Sequence, residues 1–518
     1  MPRARRALVI LVVALFTVQC VVQRTEIRQI NKTQPTDVRS PLRAHLQDGS
    51  TVVFASGARI TADAVEGDGE RHNFARSVVD RVTRVRLADL VGIETFDQKT
   101  DVGATILLSA LAAVGTAFGT TGLAVALFGS CPTVYSGDGE EDEAELFSTS
   151  IAPLFEGRDI DRLKAQATAD GRVTLEIRNE ALETHYINHL QLVEVTHGPL
   201  EQVVPDADGS PIVVSDLKPL RSATNRRSRD VAAVIGRAAD GRFYETEPET
   251  IDAATADDLT DWIDVTAPVA PGATEVALVF RLRNSLLNTV LLYDVMLGAS
   301  GAGALDWMAR DLAQVSTVVE LGRWHQQRAG LHVQVRHGDR YETVARIPDA
   351  GPISWRDVAA VVPVPRGQTS VDVRLSFVAD HWRIDHVSAG RAREATSRVV
   401  PLARVRGADG RDEVAALRDM SRADAGYLQT SPGQRFFAEF ESGPLAPSVR
   451  RTFLLGSQGY YIEWIRPSWI AGATSREPFT PSDRALLEAM RRWSRTRVDF
   501  ERQFFSSRIP MREVASWQ

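Results

Sequence analysis

Seven consecutive residues, Asp380 to His386, hold two carboxylates, two imidazoles, a guanidinium and an indole in the string D-H-W-R-I-D-H. Three kinds of chemistry draw on such a set. A metal site needs its ligands to converge, but His381 and His386 differ by an odd number and point to opposite faces of a strand. Sugar recognition needs an exposed aromatic face ringed by polar groups. Trp307, Trp324, Trp355 and Trp382 are candidates for that face, with Asp380, His381, Arg383 and Asp385 as polar partners. Trp355 and Trp382 equally fit core positions of strands, where a tryptophan packs instead of presenting its ring. Glycoside hydrolysis needs two carboxylates at a set separation, which is a property of the fold and not of the sequence.

Other clusters point less far. His185 and His189 stand four apart with Glu183 nearby, a spacing that shares one face on a helix, yet the residues after them read as a strand. The acidic run Asp138–Glu145 lacks the spacing of a calcium loop and reads as a solvated turn. Arg221, Arg226, Arg227 and Arg229 could meet an anionic partner, or could line an ordinary surface loop. There is no G-x-S-x-G, no P-loop, no dinucleotide fingerprint after a strand and no H-E-x-x-H. The sequence therefore points to no catalytic residue, no metal and no cofactor. Its ligand-binding set is Trp324, Trp355, Asp380, Trp382, Arg383 and Asp385.

The elements that must position these residues are strands. From Trp355 to Gly390 an apolar strand, a Pro/Gly turn and an alternating strand lead into a short strand carrying Trp382, Ile384 and Val387. Trp262 to Gly298 has the same layout. Trp262 matches Trp355, Gly272 matches Gly367, Arg281 matches Arg374 and Asp294 matches Asp385, with LLYDVML as the closing strand of the first copy. An alternating V-D-V-R-L-S-F strand followed by W-x-I-D-x-V resembles the closing strands of galactose-binding-like and carbohydrate-module jelly rolls. The resemblance implies tandem β-sandwiches over Leu200–Ala395, each with one set of side chains between its sheets and the other in water.

The ends of the chain bear on location. Arg3, Arg5 and Arg6 precede an apolar run from Ala7 to Val18 that is short for a membrane span and laid out like a secretory signal. Cys20 follows, a candidate for lipidation, although Thr17 and Gln19 depart from the usual lipobox; an uncleaved N-terminal anchor is the other reading. Between Val102 and Ser136 there is no charged residue, which is length enough to cross a bilayer, or for a buried helix pair. Cys131 and the NEALETHYINHLQLVEVTH stretch are similar to segments of exported bacterial proteins, which supports export and brings no site residue with it.

The fold expected is mainly β, with tandem jelly-roll-like β-sandwich domains, a small N-terminal β domain, an apolar membrane-type helical segment and a C-terminal amphipathic helix. The boundaries are a signal or anchor at 1–22, a linker at 23–41, the small β domain at 42–98, the apolar helical segment at 102–129 and a β unit at 131–200. Sandwich modules at 201–300 and 301–395, a C-terminal β region at 396–475 and the amphipathic helix at 480–505 complete the chain. With 518 residues and a net charge of -7, the chain has no cationic surplus for nucleic acid. The function expected is a non-enzymatic, membrane-anchored protein of the bacterial cell envelope, mostly outside the cytoplasm, that binds a glycan or an envelope protein. The alternatives are an exported glycoside-type hydrolase with an unrecognised acidic pair, and a structural component of an envelope assembly.

Overall fold

Alternation of burial decides the central layer of the protein. In the strand Thr260–Pro268, Asp261, Ile263, Val265 and Ala267 are buried and the residues between them are partly exposed. A strand of this kind must lay one face on a second sheet. In a computed structural model of the chain, Ile263, Val265 and Ala267 share one core with Leu278, Phe280 and Leu282 of the strand Glu275–Asn284. The structure describes residues 35–72, 78–96, 105–106, 132–136, 139, 142–236, 239–444, 449–475, 479–509 and 511. Cys20, Cys131, the 1–22 segment and all of 102–129 except Thr105 and Ile106 lie outside them.

The two look-alike stretches do not make two sandwiches. They interleave in one. Thr260–Pro268 pairs antiparallel with Ser370–Val378, and Glu275–Asn284 pairs antiparallel with Arg356–Pro363. Each copy thus sends its first strand into one sheet and its second strand into the other, and the copies pair crosswise. One sheet has the order Gln202–Pro205, Pro211–Pro219, Trp382–Glu394, Glu275–Asn284, Arg356–Pro363. The other has the order Ser222–Asn225, Thr260–Pro268, Ser370–Val378, Leu331–His337, Arg340–Ile347. Trp382 and Phe280 are fully buried between them, where side chains of that size each contribute about 1.5–3 kcal/mol.

The expected closing strand of the first copy is helical. Leu291–Gly298 continues the short helix Leu287–Val290, which begins where the Ser285 hydroxyl accepts from the Leu287 N–H at 3.2 Å. Leu and Met are good helix formers, and the buried Leu291, Tyr293, Met296 and Leu297 face several neighbours at once. Asp294 is therefore no counterpart of Asp385; it lies 3.3 Å from Arg492.

Two further sheets flank the sandwich in sequence. Strands from Thr36–Val38 to Leu90–Thr95 build a seven-stranded N-terminal sheet, and Thr36–Val38 pairs with Ala58–Ile60, so the expected linker ends by residue 36. The expected 131–200 unit and the C-terminal β region are one ten-stranded sheet. Its centre is Glu183–His197, paired along its length with Arg450–Glu463 and also with Ser397–Gly407. Thr105 and Ile106 join this sheet as a two-residue strand parallel to Leu428 and Gln429, so at these residues the apolar segment is strand and not helix. Among the described residues no helix is long and apolar enough to cross a membrane. Asp142–Glu145 is also a strand instead of a solvated loop: Glu143 accepts from the N–H of Ala165, and Glu145 from that of Ile353.

The C-terminal helix, Asp483–Ser506, starts at Ser482, whose hydroxyl accepts from the Ala485 N–H at 3.2 Å. Leu486, Leu487, Met490 and Trp493 are buried on its inner face, whereas Val498 is 64% exposed. The Trp493 indole donates to Asp380 at 2.7 Å and so bolts the helix to the sandwich. Trp493→Phe keeps the ring and removes the N–H. It is expected to destabilise the protein by about 1–3 kcal/mol, read as a lower urea midpoint; an unchanged midpoint would refute the bolt.

Candidate functional site

The helix Val315–Arg328 presents Leu321, Trp324, His325 and Arg328 at helical spacing, so all four share a face. That face, the Leu287–Gly298 helical run, the end of the sandwich and the 148–155 loop enclose a cavity of about 250 Å³. Its walls are largely apolar, with Ile151, Phe155, Leu291, Leu292, Met296 and Val378 among them.

Its floor is polar and centred on Asp349, whose side chain is 1% exposed. Oδ1 accepts from His381 Nε2 at 2.8 Å, from the Gly330 N–H at 3.0 Å and from Asn284 Nδ2 at 3.4 Å. Oδ2 accepts from Asn288 Nδ2 at 3.2 Å and lies 3.4 Å from His325 Nε2. Burial alone would raise this carboxyl, but the His381 charge and the hydrogen bonds from both histidines outweigh it and hold Asp349 well below the usual carboxylate range. Asn284 completes the floor, its Oδ1 accepting from the N–H groups of Ala350 and Gly351 at 2.7 and 3.0 Å. Gly330 sits at φ +82 with the Ile347 carbonyl 2.7 Å from where a Cβ would be, so no larger residue could aim this N–H at Asp349.

Two features of the cavity concern its ligand chemistry directly. The Trp324 Nε1 is buried and has no hydrogen-bond partner. At the rim, Arg328 grips Asp483 with two donors, the Nε contact being 2.8 Å. His325, at 41% side-chain exposure, leaves the mouth open to solvent. Among the described residues no group of three or more His, Cys, Asp or Glu could hold a metal ion.

Of the ligand-binding set read from the sequence, the structure places Trp324 in this cavity and scatters the rest. Trp382 is fully buried in the sandwich core. Asp380 is a buried hub at φ +58 that accepts from Arg383 at 2.8 Å, Thr246 N–H at 3.2 Å and Trp493. Such strained backbone persists only where its surroundings fix it. Arg383, fully buried, is spent on that pair. Asp385 is buried and accepts from the Gly241 N–H, 3.3 Å from Arg281. Trp355 is half-buried beside Phe243, with Arg283 5.1 Å from its ring centre. These residues fasten the sandwich; only His381, next to them, reaches the cavity floor. Trp307, too, is core. His185 and His189 lie on a strand, His185 buried 2.7 Å from Glu183, and Arg226 and Arg229 pair with Asp258 and Glu247.

Asp349, Asn284 and Asn288 went unsingled in the sequence. His325 was within reach, as the neighbour of Trp324 on a helix-spaced face.

No protein-family model matches the sequence, and no curated protein matches it. Among solved structures, an allantoicase from Saccharomyces cerevisiae is 7% identical, over 47% of this chain and 83% of that one, with a TM-score of 0.17. A GH31 α-xylosidase from Xanthomonas citri is 10% identical over 83% of this chain and 38% of that one, at 0.15. A cycloalternan-forming enzyme from Listeria monocytogenes is 11% identical over 72% of this chain and 30% of that one, at 0.18. Likenesses at such scores carry no argument about this chain.

The Asp349 carboxyl titrates below its unfolded value in the folded state. Its contribution is therefore present above about pH 3.9 and lost as the pH falls from there towards the folded value. Asp349→Asn is expected to cost about 3–5 kcal/mol at neutral pH. Denaturant unfolding should show that gap narrowing by about 1.4 kcal/mol per unit of pH below about 3.9. A gap that does not change with pH would mean that the charge is not what matters.

Proposed function

We propose that this chain is a binding protein of the cell envelope that takes one ring-sized unit of a ligand, such as the terminal sugar of a glycan, into the cavity under Trp324. The observation that carries this reading is the cavity itself: a half-open, mostly apolar space with an indole in its wall and a few fixed polar groups in its floor, the usual make-up of a small-ligand site. Binding in place of hydrolysis is supported by the carboxylates. Among the described lining residues Asp349 is the one acid, and all its acceptor capacity is taken up by the five donors around it. The two-carboxylate geometry of glycoside hydrolysis has no second member there.

Attachment to the envelope is supported by the Arg3, Arg5, Arg6 and Ala7–Val18 layout, with Cys20 as a lipid acceptor or the run itself as an anchor. Most of the chain then lies outside the cytoplasm. Protease added to spheroplasts is expected to degrade the C-terminal sheet, and protection of it would overturn this placement.

Trp324→Ala removes the indole and is expected to weaken binding of the preferred glycoside at least tenfold, whereas Trp355→Ala is expected to bind it close to wild type. Both are measured by calorimetry on the purified full chain. Equal effects of the two substitutions would return the site to the sandwich face.

A further inference from the structure

A second and larger cavity, of about 870 Å³, has no lining residue in common with the one under Trp324. Its walls come from the N-terminal sheet at Thr95 and Phe96, the turn at Pro153 and Leu154, and the central strands at Tyr186, Tyr460 and Ile462. The helical segment Trp307–Asp311 and the residues after it close it with Met308 and Leu312. We infer that this cavity binds a long-chain fatty acid, its acyl chain against these apolar walls and its carboxylate on Arg39 and Arg310.

The charge of the ligand follows from the two arginines. They are the charged residues of the described lining, which holds no carboxylate, amide or imidazole. Both are exposed, and neither guanidinium has a hydrogen bond or ion pair with a described residue. Asp306 stands four residues before Arg310, the spacing at which an acid and an arginine on a helix pair. Its oxygens are taken up elsewhere: they accept from the Arg39 N–H at 3.1 and 3.2 Å, the Ser40 N–H at 3.0 Å and the Ser40 hydroxyl at 2.7 Å. Those contacts also hold the backbone of Arg39 about one helical turn from Arg310. A carboxylate is the group that an arginine fork receives with two parallel bonds.

The acyl chain follows from the walls. Leu154 is 51% exposed beside the cavity, an apolar side chain of the size that a ligand of this kind would cover. Four hydroxyl residues occur in the lining: Ser40, whose hydroxyl is bonded to Asp306, the buried Thr95, and Tyr186 and Tyr460. The two tyrosines stack on each other with ring centres 4.6 Å apart and planes within 7°. A sugar would bring a ring of hydroxyls to this surface, and a peptide an N–H and a C=O for every residue, all of which need partners once buried. A hydrocarbon chain needs none, and each of its methylenes gains by leaving water.

The test is calorimetric titration of the purified full chain at neutral pH, below the micelle concentration, with dodecanoate, decanoate and dodecylammonium. Dodecanoate is expected to bind, decanoate, two methylenes shorter, to bind about tenfold more weakly, and dodecylammonium, with the same chain and the opposite charge, at least tenfold more weakly. The double variant Arg39→Gln, Arg310→Gln is expected to lose about tenfold in dodecanoate affinity and with it the preference for a carboxylate head. Its melting temperature should not change, because both side chains are exposed and unpaired. Ala313→Trp, at an exposed position of the lining, obstructs the cavity and is expected to weaken dodecanoate at least tenfold. Dodecylammonium binding as tightly as dodecanoate, a double variant that binds like wild type, or an Ala313→Trp protein that binds like wild type overturns the inference. Absence of dodecanoate binding overturns it as well; a dimer in sedimentation that Ala313→Trp dissociates would then make a second copy of the chain the occupant. None of these outcomes bears on the cavity under Trp324.

Discussion

The crosswise pairing of Thr260–Pro268 with Ser370–Val378, and of Glu275–Asn284 with Arg356–Pro363, is the constraint on which the rest of the structure depends. It closes two sheets over one core. It also carries Asn284, the last residue of one strand, to the turn that holds Asp349 and to the turn that ends at His381. Three segments distant in sequence thus meet at one end of the sandwich, and the cavity floor is their meeting point. Had each look-alike stretch folded on itself, those three side chains would have ended up in different modules.

Buried carboxylates do the fastening at each junction. Asp380 ties the C-terminal helix to the sandwich through Trp493 and Arg383. Asp161 and Asp159 receive Arg356 across from the ten-stranded sheet. Glu94, 1% exposed, takes His45 at 3.1 Å and Thr184 at 2.6 Å, joining the N-terminal sheet to that same sheet, and His45 stacks on Trp464 at 3.7 Å. A buried acid with a full set of donors is directional in a way that apolar contact is not, because removing one donor leaves a desolvated charge behind. Apolar burial supplies most of the favourable energy of such a fold, while these hubs fix which surface meets which.

What could be read in the sequence was local. The alternation in Val371–Val378 and Thr260–Ala267 identified strands because burial on one face has period two. Ser482 and the residues after it identified a helix because a cap and its first turn are adjacent in sequence. Leu291–Leu297 misled because a short apolar run has no period that separates strand from helix. The two copies of the repeat were visible, but similarity between copies is silent on whether each pairs within itself or with the other. Asp380, Arg383 and Asp385 drew attention as a dense polar string, and the same density reflects the need to satisfy one another in a dry place. Asp349 carried no signal, since its importance lies in five donors drawn from three distant stretches of the chain, 284–288, 325–330 and 381. The acids of Asp142–Glu145 looked like a solvated run because the backbone N–H groups that satisfy them come from residues far along the chain.

The centre of the ten-stranded sheet has a consequence for how the protein is made. Thr184 on one central strand meets Trp464, just past the end of the other, across 280 residues, with the entire sandwich synthesised between them. At bacterial or eukaryotic elongation rates the first strand waits on the order of tens of seconds for its partner. Until Ser397–Gly407 and Arg450–Glu463 have been made, Leu190, Leu192 and Val195, all buried at the end, lack the strands that pair with theirs. The sandwich is complete well before the strand that closes the neighbouring sheet exists. A holdase that covers one apolar strand during that interval would therefore have more effect on yield than one acting on the finished fold, and truncation after the sandwich would leave a sound module attached to a sticky edge.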